Sequence, residues 1–252
     1  MNICVVGEGR WDVGGMCAGE RYDGDVPLVV GRIAREKVGR GVRFGCCRWG
    51  VIERTEDWPD DWKDGWPAVH PAPAERWPRP PAEGTARQLW TALCLASQGT
   101  ESGDFDALVF VRDSRWDGHD EREKACRQVL KDFATRGSAL AVVVGFAIQE
   151  IEAWLLADPE ARAAAFGESA KSRECGAPEE IENPKQCWQS LLGEAPGDAT
   201  EVERRKCAID AMRPKVVAER CPRGFGPFRE EVKTRIVRLL DPEARRTRAD
   251  MR

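Results

Sequence analysis

The feature that most constrains this chain is a set of short apolar runs, each followed closely by an acidic residue. The clearest run occupies residues 106–113 and ends at Asp113. A short apolar run bounded by turn residues is typical of a strand buried on both faces, as in parallel α/β sheets. Residues 2–6 and 139–147 form similar runs. The pattern predicts an α/β fold with a parallel sheet flanked by helices.

Acidic side chains are predicted to meet at one edge of this sheet. Glu8 follows the first run, Asp113 ends the second, and Glu152 comes one helical turn after the third. Parallel strands place their carboxyl ends at a common edge, where ligands bind. Carboxylates gathered there repel one another unless a cation lies between them. Oxygen ligands of this kind suit Mg²⁺ or Mn²⁺, so we expect metal ligands at Glu8, Asp113, Asp117 and Glu152.

Helix capping is the alternative explanation for several of these acids. Asp117 and Asp120 precede a helix expected over residues 121–136, and Asp120 is its expected N-cap. Asp158 lies directly before Pro159, which predicts an N-cap followed by the first helical residue. Glu150 and Glu152 are two residues apart and point to different helix faces, so at most one is expected at the site.

Composition limits the class of protein. The 252 residues include ten cysteines but only two histidines, without any C-x-x-C pair, which argues against a conventional zinc site. We expect the cysteines to be reduced and mostly core residues. No apolar run approaches 18 residues and no secretory signal pattern is present, so a cytoplasmic protein without a membrane span is predicted.

The chain divides by composition into two predicted regions. Residues 1–166 carry the strand pattern, with a loop rich in Trp and Pro over residues 56–83 that we expect to contact the body of the protein or a partner. Residues 167–252 have a helical pattern, and Lys and Arg outnumber Asp and Glu from Glu201 onward. Basic residues near the acidic edge or on helices are candidate nucleic-acid contacts: Arg10, Arg112, Arg115 and Lys185.

The order of these motifs resembles the Toprim fold of topoisomerases, primases and OLD-family nucleases. Gly7-Glu8-Gly9 with Asp12 is similar to the glutamate motif after the first strand, and Asp113 is similar to the first acid of the D-x-D motif. The run 152–158 (EAWLLAD) and the later Cys-Pro-Arg-Gly-Phe run at 221–225 are similar to an uncharacterised bacterial Toprim-like family. Arg115 stands where the second D-x-D aspartate belongs, so either Asp117 substitutes for it or the site is weakened.

The resemblance implies a Mg²⁺-dependent nuclease that acts on DNA or RNA, with Glu8 and Asp113 as catalytic residues. It also implies an effector of bacterial anti-phage defence that is gated by an ABC-type or AAA-type ATPase, and a homo-oligomer is possible. The chain contains no G-x-x-x-x-G-K-[ST] motif, so nucleotide-driven control has to come from another chain. The alternatives are a catalytically degenerate adaptor that binds the ATPase or nucleic acid, and a hydrolase of small phosphates.

Overall fold

The computed structural model describes residues 2–7, 15–17, 20–22, 24–38, 43–48, 81, 84–98, 105–115, 117–135, 140–173, 176–191 and 198–240. The Trp- and Pro-rich loop predicted over residues 56–83 lies almost entirely outside these ranges. All statements below concern the described residues.

The described elements alternate between strands and helices in the first part of the chain. They are β1 (Asn2–Gly7), β2 (Gly15–Cys17), β3 (Glu20–Tyr22), α1 (Asp25–Val38), β4 (Arg43–Arg48), α2 (Gly84–Gln98), β5 (Ala107–Ser114), α3 (His119–Ala134) and β6 (Ala141–Ile148). The remaining elements are helical. They are α4 (Glu152–Ala157), α5 (Pro159–Phe166), two 3₁₀ turns (Glu168–Ala170 and Pro178–Glu180), α6 (Pro184–Leu191), α7 (Asp198–Ala211), α8 (Pro214–Arg220), α9 (Phe225–Glu231), a π-helical segment (Val232–Val237) and α10 (Arg238–Leu240).

The main sheet has the strand order β4-β1-β5-β6, and each neighbouring pair is parallel. In the register, Val6 lies beside Phe110 and Ser114 lies beside Ile148. The strands β2 and β3 form a separate antiparallel pair. The predicted α/β architecture, a parallel sheet flanked by helices with further helices at the C-terminal end, is therefore confirmed.

The two faces of the sheet carry two hydrophobic clusters, because successive side chains of a strand point to opposite faces. Ile3 and Val5 belong to the first cluster, whereas Cys4 and Val6 belong to the second. The first cluster is covered by α1, α4 and the C-terminal helices, and the second by α2 and α3. Both faces of the sheet are buried, which explains why the strand sequences are almost continuous apolar runs.

The C-terminal helices share the first cluster with the sheet. Trp154 of α4 is fully buried and stacks on Phe228 of α9, with ring centroids 5.1 Å apart. Gly145 of β6 permits this approach, since a Cβ at that position would lie 2.6 Å from the Phe228 ring. The boundary predicted after residue 166 thus falls between regions that contribute to one hydrophobic core.

Six cysteines have described side chains, and none of these six forms a disulfide. Four of them are buried, as expected for core residues: Cys4, Cys94, Cys126 and Cys221. No helix among the described residues is both long enough and apolar enough to span a membrane.

Candidate functional site at the carboxyl edge of the sheet

The strand order brings the ends of β1 and β5 side by side. Gly7 is the last residue of β1, and the next residue in the chain is Glu8, which lies outside the described residues together with Arg10. Asp113 is the penultimate residue of β5 and is half-buried. Of the site expected from Glu8 and Asp113, the structure therefore describes Asp113 and the end of β1, which precedes Glu8 in the chain.

A hydrogen-bond network orders the turn after β5. The side chain of Arg122, in the second turn of α3, donates to Ser114 Oγ at 3.1 Å, to the Arg115 carbonyl at 3.2 Å and to the Asp117 carbonyl at 2.9 Å. Gly118 adopts a left-handed conformation (φ 74°) and is the N-cap of α3. The prediction that Asp120 caps this helix is wrong, because α3 begins one residue earlier than Asp120 and its cap carries no side chain.

The predicted ligand Asp117 and the cation Arg115 both lie on this turn with exposed side chains. Arg112 of β5 is half-buried. Arg122 was missed in the sequence, although an arginine in the second turn of the helix after an acid-ended strand is placed to reach back over the connecting turn. The backbone of the turn is held by Arg122, which leaves the Asp117 and Arg115 side chains facing solvent.

Two members of this network are buried, Ser114 and His119. The Nδ1 of His119 lies 3.2 Å from Ser114 Oγ, and only 3% of His119 is exposed. Burial lowers the pKa of His119; the charge of Glu123 opposes this shift and the charge of Arg223 adds to it. The imidazole is therefore neutral at pH 7.

Glu152 is delivered to the carboxyl edge by a sharp turn after β6. Gln149 has a left-handed backbone (φ 67°), and its N–H donates to the carbonyl of Ser114 at 2.9 Å. The strand thus continues to Ile148 and the helix begins only at Glu152, whereas the sequence pattern predicts a helix from residue 148. Glu152 is the first residue of α4 and is 5% exposed.

The Glu152 carboxylate contacts Arg205 of α7, and this pair belongs to a larger cluster. Arg205 Nη2 donates to Glu152 at 2.6 Å, its Nε donates to Glu201 at 2.6 Å, and its Nη1 donates to Asp25. Trp188 Nε1 also donates to Glu201, at 2.8 Å. We call Asp25, Glu152, Glu201 and Arg205 the Arg205 cluster.

The electrostatics of the Arg205 cluster favour the charged form of its arginine. Burial by itself lowers the pKa of Arg205, but the charges of Asp25, Glu152 and Glu201 outweigh it and raise that pKa. Asp25 and Glu152 are the first residues of α1 and α4, where the helix dipole stabilises a carboxylate. The cluster therefore ties three helices together near the carboxyl edge.

Glu150 contacts Lys185 through the backbone N–H of Lys185 and not through its side chain. The Lys185 N–H donates to Glu150 at 2.9 Å, and the Lys185 side chain is exposed. Asn183 accepts from the N–H of Gln186 at 2.9 Å, as expected for the cap of a helix that begins at Pro184. Glu150 thus helps to cap α6.

Asp158 confirms the capping prediction made for it. Its carboxylate accepts from the N–H of Glu160 at 3.0 Å and from the N–H of Arg213 at 2.6 Å, and it forms an ion pair with the Arg213 side chain. The residue is fully buried. It therefore joins the start of α5 to the start of α8.

The Cys-Pro-Arg-Gly-Phe run forms the turn between α8 and α9, and its Phe225 is the first residue of α9. The carboxylate of Glu179 accepts from the N–H groups of Arg223 and Gly224, at 3.2 and 2.6 Å. Burial raises the pKa of Glu179, and these backbone hydrogen bonds partly offset that shift. A Cβ at Gly224 would lie 2.6 Å from the carbonyl of Phe146, so the close approach of this turn to β6 requires glycine.

The predicted metal ligands are not all brought together among the described residues. Asp113 lies at the end of β5, Asp117 faces solvent, and Glu152 contacts Arg205. Within the described ranges, no group of three or more His, Cys, Asp or Glu side chains is arranged to hold a metal ion. These residues alone do not fit a Mg²⁺ site, and any such site has to include a ligand beyond them.

Comparison with known protein families identifies a match over the second half of the described fold. A family described as a domain of unknown function, DUF4276, matches residues 89–233, which include β5, β6 and the Glu152, Glu201 and Arg205 members of the Arg205 cluster. Neither the curated proteins nor the solved structures contain a match. The matched region covers more than half of the chain, and the chain therefore belongs to the DUF4276 family.

Proposed function

We propose that the chain is a Toprim-like nuclease that cuts DNA or RNA at the carboxyl edge of its parallel sheet, with Mg²⁺ or Mn²⁺ as cofactor. The strand order supports this proposal, because β1 and β5 are parallel neighbours whose ends share one edge. Glu8 follows one of these ends in the chain, and Asp113 lies at the other. Asp113 and Glu8 are the proposed catalytic residues, and a metal bound there would neutralise charge on the phosphate.

Basic side chains at the same edge have a proposed role in holding the nucleic-acid backbone. Arg115 is exposed and Arg112 is half-buried beside Asp113. Arginine binds phosphate in a bidentate manner, so these two residues suit backbone contacts that carry no sequence information. We further propose a cytoplasmic effector of anti-phage defence that is controlled by a partner ATPase.

Cleavage assays test the nuclease directly. Plasmid DNA, single-stranded DNA and tRNA are incubated with the protein and Mg²⁺ or Mn²⁺, with EDTA as the control. We expect metal-dependent cleavage that Asp113→Asn and Glu8→Gln each reduce by at least a hundredfold. Asp106→Asn, at the other end of β5, is the matched control and should cleave normally. Cleavage that survives both site substitutions would contradict the proposal.

A second candidate is supported by the Arg205 cluster. Because Glu152 is neutralised by Arg205 and Asp117 faces solvent, a catalytically degenerate adaptor that binds an ATPase or nucleic acid also agrees with the geometry. This candidate predicts nucleic-acid binding without cleavage. It also predicts a melting temperature that does not change with Mg²⁺ or Mn²⁺, whereas a ligand that binds the folded state raises it.

A further inference from the structure

A cavity of about 310 Å³ opens on the second face of the sheet, between α3, β6, α9 and the π-helical segment that follows α9. Its floor is apolar and includes Phe146, Val144, Cys126 and Leu130. This volume is at the lower end of the range for small-molecule sites. The cavity therefore suits a ligand about as large as one nucleoside.

The polar group at the base of the cavity is His119. Its Nδ1 is hydrogen-bonded to Ser114 Oγ, which also accepts from Arg122 and lies 3.4 Å from the Arg115 carbonyl. The other ring nitrogen, Nε2, has no hydrogen-bond partner among the described residues. The cavity therefore offers a ring nitrogen for hydrogen bonding beside an apolar floor.

The charged residues of the cavity wall are already engaged in ion pairs. Arg127 pairs with Glu123 at 2.5 Å within the wall. Three more wall residues pair with side chains outside it: Arg223 with Asp120, Glu230 with Lys233, and Glu231 with Arg235. The wall is close to electrically balanced, so it favours a neutral polar ligand over a phosphate. The planar guanidinium groups of Arg127 and Arg223 can also stack on a flat ring.

We propose that this cavity receives a nucleobase. A base combines a flat apolar ring with an edge that carries both hydrogen-bond donors and acceptors, which suits His119 Nε2 in either tautomer and the wall carboxylates. The cavity is next to the carboxyl edge, because Phe146 lies beside Arg112 in the sheet register and Ser114 follows Asp113. The part of this inference that names nucleic acid as the source of the base rests on the proposed function. A free nucleoside presents the same base and is the alternative source.

Binding is measured by calorimetry in EDTA, so that it is independent of cleavage. The probes are the four nucleosides and short single-stranded DNA and RNA oligonucleotides. His119→Phe keeps an aromatic ring and removes both ring nitrogens. We expect the loss of one hydrogen bond to increase Kd by roughly three- to tenfold. Thr234→Trp at the exposed rim fills the mouth and should increase Kd at least tenfold. Lys124→Ala, on α3 but outside the wall, is the matched control with unchanged affinity.

The results separate this inference from the nuclease proposal. Oligonucleotide binding that both cavity variants weaken assigns the base to a nucleic-acid chain, and nucleoside binding without oligonucleotide binding assigns it to a free nucleoside. Either outcome supports a nucleobase site, even if no cleavage is found. Absence of binding up to millimolar concentration, or wild-type affinity in Thr234→Trp and in a folded His119→Phe, overturns the inference, even if cleavage is found.

Discussion

Removal of the Arg205 guanidinium is the most informative test of the fold around the carboxyl edge. Arg205→Met keeps a long apolar stem but removes the only cation within the Arg205 cluster, which we defined from described residues. The side chains of Arg205, Asp25 and Glu152 are 2%, 0% and 6% exposed. Solvent therefore cannot screen the carboxylates that the substitution leaves behind.

The expected cost follows from this burial. Breaking a buried ion pair by removing one partner costs about 3–5 kcal/mol, because an uncompensated charge remains in the interior. A typical domain is stable by about 5–15 kcal/mol, so the Arg205→Met variant should keep only part of its stability. With a urea m value of about 3 kcal/mol/M, the midpoint should fall by roughly 1–1.7 M.

Urea unfolding followed by tryptophan fluorescence and circular dichroism measures this change. The control is Arg35→Met, which removes a surface pair with Asp210 whose side chains are 48% and 65% exposed. We expect that control to change the stability by less than about 1 kcal/mol. Adding Glu152→Gln to Arg205→Met should restore at least about 1 kcal/mol, since one of the buried charges disappears. An Arg205→Met variant no less stable than Arg35→Met would refute this account of the cluster.

Three further predictions concern packing, capping and thiol chemistry. Gly145→Ala should lower the free energy of unfolding by about 1–3 kcal/mol, because the new methyl group would overlap the Phe228 ring. Gly31→Ala is the control, since the space around its Cβ is open, and it should not lower the free energy of unfolding. Equal urea midpoints for the two variants would contradict the packing argument. Asp158→Ala should cost about 1.5–3 kcal/mol in the same assay, since it removes a helix cap and leaves the N–H groups of Glu160 and Arg213 without their buried acceptor. Burial raises the pKa of Cys94 and of Cys126 to about 12, so both thiols should react with iodoacetamide at pH 8 far more slowly in the native protein than in urea, and mass spectrometry that finds them modified first would refute this.

The strands and their arrangement were predictable from the sequence because their signal is local. Ile3 and Val5 face one cluster and Cys4 and Val6 face the other, and a strand covered on both faces has no polar side to interrupt its apolar run. Asp158 before Pro159 was equally readable, since a cap and its helix are adjacent in the chain. The acidic ending of β5 at Asp113 was part of the same local pattern.

The partners of the acids were decided only by the tertiary structure. Asp25 and Arg205 are separated by 180 positions, and Glu152 and Arg205 by 53. In the sequence, Glu201 and Arg205 form an i, i+4 pair that is indistinguishable from one on a solvated helix face, although Arg205 is 2% exposed. A carboxylate at a strand end is a candidate ligand by local pattern alone. Whether it contacts a metal, a backbone N–H or a buried guanidinium depends on which distant helix packs beside it, and no local pattern encodes that choice.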